Sequence, residues 1–119
     1  RWILPALPVP VLFLPVVGNF YSGMLVTVPM RGDIEAVRRV YVKKYAGPVV
    51  EYREHLSEDG FLSAALLAGR DSMRISVEGS ADRMQLIAAY DNLGKGASGA
   101  AVEILNIKMG ADIAAGLVL

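Results

Sequence analysis

Apolar and polar positions change period several times along the chain, and each change marks an element. Ile34, Val37, Val40, Tyr41 and Tyr45 recur at helical spacing. Asp33 precedes them as a good N-cap, and Gly47-Pro48 follows as a stop. This predicts an amphipathic helix over Ile34–Ala46, with Arg38, Arg39, Lys43 and Lys44 as a solvated basic face late in the helix. Met73, Ile75 and Val77 alternate with Arg74, Ser76 and Glu78, which predicts a half-buried strand over Arg70–Glu78. Gly79-Ser80-Ala81-Asp82 has hairpin-turn composition, and Arg83–Tyr90 reads as the returning strand. Asn19–Pro29 also alternates, and Gly23 inside it marks a bulge or a close backbone contact. Val11–Val17 reads as a buried strand and Val49–Arg53 as a short one. Residues 1–10 read as irregular and extended, because Pro5, Pro8 and Pro10 bias their neighbours that way. His55–Gly60 is a charged turn, and Phe61–Ala68 fits a strand or a short helix equally. A last helix is expected from about Gly96 to Lys108, stopped by Gly110, with a short apolar tail behind it.

The resulting order, β-β-α-β-β/α-β-β-α, is rich in local hairpins. It predicts an α+β domain: a largely antiparallel sheet with helices on one face. The 119 residues suit a single domain with one core. The chain opens on Arg1-Trp2 rather than Met, so it is expected to be a piece of something longer. At 54% hydrophobic it carries a slight apolar surplus, which predicts extra buried surface at an interface.

Charge and cysteine usage narrow the chemistry. Lys and Arg number 12 and so do Asp and Glu, with no basic stripe, so neither nucleic acid nor an anionic membrane is an expected partner. Residues 2–30 carry no charge, but Pro5, Pro8, Pro10 and Pro15 interrupt any spanning helix, and buried strands explain the stretch better. The absence of cysteine excludes disulfides, thiolate zinc sites and cysteine nucleophiles within this chain. The single histidine, His55, excludes multi-histidine metal sites, and its charged surroundings predict a surface position.

The chemically suggestive stretch runs from Met84 to Lys108. Gly94, Gly96 and Gly99 spell G-x-G-x-x-G between a strand and a helix. Exposed N–H groups at such a helix start favour an anion or a polar ring substituent. A dinucleotide fingerprint also needs a second strand and an acidic residue about 20 residues on. The tail beyond Gly99 holds no convincing strand, and Asp112 comes too early. A Walker loop fails because Lys95 is followed by Gly96. The glycines therefore read as a tight turn with close helix packing. Ala97, Ala101, Ile104 and Leu105, widened by Val102 and Met109, form a stripe broad enough for two surfaces, the second on a partner domain. Asp91 suits a helix cap or the orienting of a neighbour, whereas Asn92 offers a donor and an acceptor suited to a carboxamide or a carbonyl; turn and cap chemistry is the alternative for both.

Residues 90–106, Tyr-Asp-Asn-Leu-Gly-Lys-Gly-Ala-Ser-Gly-Ala-Ala-Val-Glu-Ile-Leu-Asn, resemble the D-N-L-x-K-G-A-[AS]-x-x-A-[VI]-x-x-x-N segment of N-acetyl-gamma-glutamyl-phosphate reductases. Upstream, Leu12–Met24 resembles that family's F-x-P-H-[LV]-x-x-x-x-x-G-[IM] segment. The resemblance implies a fold like the C-terminal domain of glyceraldehyde-phosphate and semialdehyde dehydrogenases. It implies a cytoplasmic, homo-oligomeric, NADP-dependent enzyme of arginine biosynthesis that reduces the acyl phosphate N-acetyl-glutamyl phosphate to N-acetyl-glutamate semialdehyde. An N-terminal Rossmann domain, absent here, would hold the cofactor and the catalytic cysteine.

The family's His-Arg-His-x-x-Pro-Glu segment has no match in this chain, its P-H dipeptide reads Pro15-Val16, and an arginine often found before the glycine is Ser22. The resemblance therefore places no catalytic residue here, and the fragment alone is expected to be inert. It carries over Asn92 as a nicotinamide-side contact, with Lys95 and Gly96 assisting by charge or backbone approach, and it implies no metal. Two alternatives stand beside it: another semialdehyde dehydrogenase such as the aspartate enzyme, and a non-enzymatic module docking through its apolar first thirty residues.

Overall fold

The computed structural model describes residues 12–57 and 59–119. The irregular stretch expected over residues 1–10, and Val11 at the start of the first expected strand, lie outside these. The elements are β1 (Met24–Arg31), α1 (Ile34–Lys44), β2 (Val50–Tyr52), β3 (Met73–Gly79), β4 (Arg83–Tyr90), a wide turn (Gly94–Ser98) and α2 (Gly99–Met109). The strands form one sheet in the order β1-β4-β3-β2. β1 and β3 flank β4 antiparallel, from Met24↔Tyr90 to Arg31↔Arg83 and from Met73↔Tyr90 to Gly79↔Met84. β2 pairs β3 in parallel, Val50↔Met73 to Tyr52↔Ile75. A parallel pair needs a long crossover, and residues 53–72 supply it. The domain is α+β and largely antiparallel, as its alternating pattern predicts.

β4 is central, and both its faces are covered. Met84 and Leu86 point to one face, where they meet Val77 and, from α1, Ile34, Val37 and Tyr41. Ile87 and Ala89 point to the other, where Leu56, Leu62 and Leu66 of the crossover and Leu25 of β1 close over them. Asp33 caps α1 through Oδ1, which accepts from the amides of Glu35 and Ala36. Arg38 leaves the basic face expected of it: its Nε donates to the Val77 carbonyl at 3.1 Å and ties α1 to β3.

Several boundaries differ from the pattern. No strand forms over Leu12–Val17, whose side chains stand exposed, up to 94% at Val17. The strand expected from Asn19 begins only at Met24. Gly23, at φ 122°, turns the chain there, and Ser22 and Gly23 are tied to Asp91 and Asn92 instead of to a neighbouring strand. α1 stops at Lys44, because Tyr45 leaves the helical region and Ala46 bridges to Glu51. Phe61–Ala68 is neither strand nor helix but a series of turns, closed by Leu66 N to Ser63 O and Ala68 N to Ala65 O. α2 begins at Gly99 rather than Gly96, after the wide turn. The order is thus β-α-β-β-β-α, with fewer elements than the pattern predicts.

Two surfaces stay bare. On β1, Met24, Val26, Val28 and Met30 share a face, each more than a third exposed. With Tyr41, Tyr45, Met73 and Ala88, Val26 and Val28 line a groove of about 300 Å³. On α2 only Gly99 and Asn106 are buried. No helix among the described residues is long and apolar enough to cross a membrane.

Candidate functional site: the Asp91–Asn92 corner

β4 ends at Tyr90 and delivers Asp91 and Asn92 to a corner where three segments meet. Asp91 is 2% exposed. Its Oδ2 accepts from Ser22 Oγ at 2.8 Å and from the Gly69 amide at 2.5 Å. Its Oδ1 accepts from the amides of Leu93 at 2.7 Å and Gly94 at 3.2 Å. Burial pushes the carboxyl upward, but these donors outweigh it. The hydrogen bonds from Gly69, Leu93, Ser22 and Gly94 bring its pKa down from 3.8 to about 2. The carboxylate is therefore a fixed anion that joins residue 22, residue 69 and the exit of β4.

Asn92 adds a second tie. Its Oδ1 accepts from the Gly23 amide at 2.8 Å. That bond settles which way the carboxamide faces, because only its oxygen can accept an N–H. The NH2 is thereby turned away from Gly23 and forms no hydrogen bond among the described residues.

The wide turn follows from glycine and serine. Gly96 N donates to Asp91 O, Ser98 N to Leu93 O and Gly99 N to Gly94 O, each five residues back. This is the signature of a π-turn. All three glycines of the G-x-G-x-x-G are filled by the chain's own packing. A Cβ on Gly94 would lie 2.4 Å from Arg70 O, one on Gly99 2.3 Å from Asp71 Oδ1, and one on Gly96 3.2 Å from Asp91 O and 3.3 Å from the Tyr90 ring. The space a pyrophosphate would use in a dinucleotide fingerprint is thus taken by residues 70–71 and 90–91, and no strand follows α2. Gly94→Ala must push against a main-chain carbonyl, so it is expected to destabilise the protein by about 1–3 kcal/mol, measured as a lower urea midpoint.

The other two residues carried over with Asn92 lie beside it with different partners. The Lys95 ammonium pairs with Glu103 of α2, and both side chains are largely covered. Gly96 is in contact with Tyr90 and Asp91. The corner thus brings Asn92, Lys95 and Gly96 together with Ser22, Gly69 and Asp71. None of these last three was legible as a partner: Ser22 and Gly69 look like ordinary strand and turn residues, and Asp71 lies inside a stretch that reads as strand. His55 is exposed, as its charged neighbours predict. No group of three His, Cys, Asp or Glu side chains among the described residues is placed to hold a metal ion.

The described cavities lie away from this corner. One of about 510 Å³ sits at the β3–β4 turn between Pro29, Arg31, Glu78 and Arg83. Another of about 320 Å³ lies beneath the crossover beside Arg53, His55 and Arg74. None of these cavities is lined by Asn92, whose NH2 has no partner among the described residues.

No family model matches the chain. Curated proteins do. It is 39% identical over 111 residues to the N-acetyl-gamma-glutamyl-phosphate reductase of Sinorhizobium medicae (strain WSM419), covering 83% of this chain and 36% of that protein. It is 39% identical over 110 residues to the protein of the same name from Rhizobium leguminosarum bv. trifolii (strain WSM2304), covering 82% and 36%. It is 40% identical over 111 residues to that of Brucella ovis, covering 83% and 36%. The chain spans about a third of the length of the relatives it matches. By sequence, then, the chain is similar to a segment of proteins named N-acetyl-gamma-glutamyl-phosphate reductase rather than to the whole of them.

Proposed function

We propose that this chain is the C-terminal domain of an NADP-dependent N-acetyl-gamma-glutamyl-phosphate reductase of arginine biosynthesis, a cytoplasmic enzyme. It converts N-acetyl-glutamyl phosphate to N-acetyl-glutamate semialdehyde. The identity of about 40% to proteins of that name carries the reading. When bound, the nicotinamide supplies the hydride. What this chain adds is position. Asn92 turns its NH2 outward while its oxygen is held by Gly23, which suits a donor contact to a ring carboxamide. Lys95 and Gly96 enter through the main chain, since the Lys95 charge is spent on Glu103. No residue here is assigned the nucleophile or the acid–base role; both belong to the remaining two-thirds of the polypeptide.

The two bare surfaces support two partners. α2 leaves Val102, Ile104, Leu105, Ile107 and Met109 exposed, and so apolar a helix surface is normally buried. Its cover is the enzyme's own N-terminal Rossmann domain. The exposed face of β1 is the surface for a second copy, so the full-length protein is a homo-oligomer. A monomeric mass by light scattering would remove this part of the reading.

The test is to express the complete gene and follow phosphate-dependent NADP reduction with N-acetyl-glutamate semialdehyde. Turnover is expected from the whole protein and none from residues 1–119 alone. Absence of turnover, or an equal rate on aspartate semialdehyde, would overturn the assignment.

A further inference from the structure

α2 is held by something other than apolar packing. Ile104, Leu105, Ile107 and Met109 each stand more than half exposed, so little hydrophobic contact fixes the helix. Polar ties do so instead, and they converge on one dipeptide, Arg70-Asp71. At the front, Lys95 N donates to Arg70 O at 3.4 Å, and Gly99 is pressed onto the Asp71 carboxylate so closely that no Cβ fits between them. At the back, Val118 N donates to Asp71 Oδ2 at 3.0 Å, Asp71 N donates to Val118 O at 2.6 Å, and the Arg70 guanidinium reaches the Leu119 carbonyl. Between the two ends, Gly110 turns the chain in the left-handed region. Asn106 Nδ2 then donates to Ile113 O at 3.2 Å and Ala115 O at 2.8 Å, folding the tail back beneath the helix.

We infer that Asp71 is a positioning residue: one carboxylate seats the first turn of α2 by close contact at Gly99 and accepts from the Val118 amide where the tail returns. It thereby sets the pose of α2 relative to Asn92. Neither apolar cluster includes Asp71, and Gly94 and Gly96 stay bonded to Asp91, so losing it loosens α2 and its tail from Gly99 to Leu119 without melting the sheet. The functional half of this inference rests on the reading of the corner as a cofactor contact; the latch itself does not.

The experiment uses full-length protein with Asp71→Ala and Asp71→Asn, read by amide hydrogen exchange and by steady-state kinetics. In Asp71→Ala the amides of residues 99–109 are expected to exchange at least about tenfold faster, while those of β3 and β4 keep their rates. The KM for the nicotinamide cofactor should rise about tenfold with kcat little changed. Asp71→Asn keeps an acceptor for the Val118 amide and should recover most of both. Unchanged exchange in α2, or a uniform acceleration across sheet and helix, overturns the latch. Faster exchange in α2 with an unchanged KM overturns the positioning role. A wild-type protein without reductase turnover defeats the cofactor reading, and the exchange result then judges the latch alone.

Discussion

Asp91→Ala is expected to destabilise the protein by about 3–5 kcal/mol, more than the loss of an average core methyl group. The substitution strands four donors at once: the Ser22 hydroxyl and the amides of Gly69, Leu93 and Gly94. It also unties residue 22, residue 69 and the exit of β4 from their one shared polar partner. Urea denaturation of the full-length protein measures it, and a loss below about 1 kcal/mol, the scale of one ordinary hydrogen bond, would refute the clamp. The clamp has a pH signature. Asp91 ionises at about 2 in the folded protein, below its ordinary 3.8. Its contribution is therefore complete above about pH 4 and drains away as the pH falls toward 2. Asp91→Asn should lose stability at neutral pH and show a flatter decline between pH 4 and 2. Parallel acid limbs for variant and wild type would contradict the assignment.

The second large effect is kinetic. Asn92→Asp keeps an oxygen for the Gly23 amide and replaces only the outward NH2, so the fold should hold while the donor is lost. The KM for NADPH is expected to rise about tenfold or more, equivalent to about 1.4 kcal/mol of binding. Asn92→Ala should raise it as much and also lower the melting temperature by a few degrees, since it cuts the Gly23 tie. Unchanged kinetics in Asn92→Asp would remove Asn92 from the cofactor contact.

The regular elements were legible because their periodicity matched their burial. β3 alternates in sequence, and the hairpin turn between β3 and β4 carries Gly79, at φ 139°. α1 has its cap at Asp33 and its stop near Gly47. Leu12–Val17 misled, because an apolar run states only that a segment wants cover, not that the cover lies within the same chain. Gly23 was legible as a bulge or a close contact, and it is the latter; its partners, the Ala64 carbonyl and Asn92 Oδ1, were not legible. The corner was half legible. Asn92 stood out by its chemistry and the glycines by their spacing, but their meaning depended on Arg70 and Asp71. These come close through the crossover, and no local pattern records such a meeting.

The strand order has a consequence for synthesis. β1 finds its partner in β4, which leaves the ribosome about sixty residues later. At roughly 5–20 residues per second, that is several seconds during which an apolar strand waits with its edge and both faces open. Nascent chains stalled within that interval should be the species that chaperones bind most, and slowing translation between Arg31 and Arg83 should lower the soluble yield more than slowing it after Tyr90.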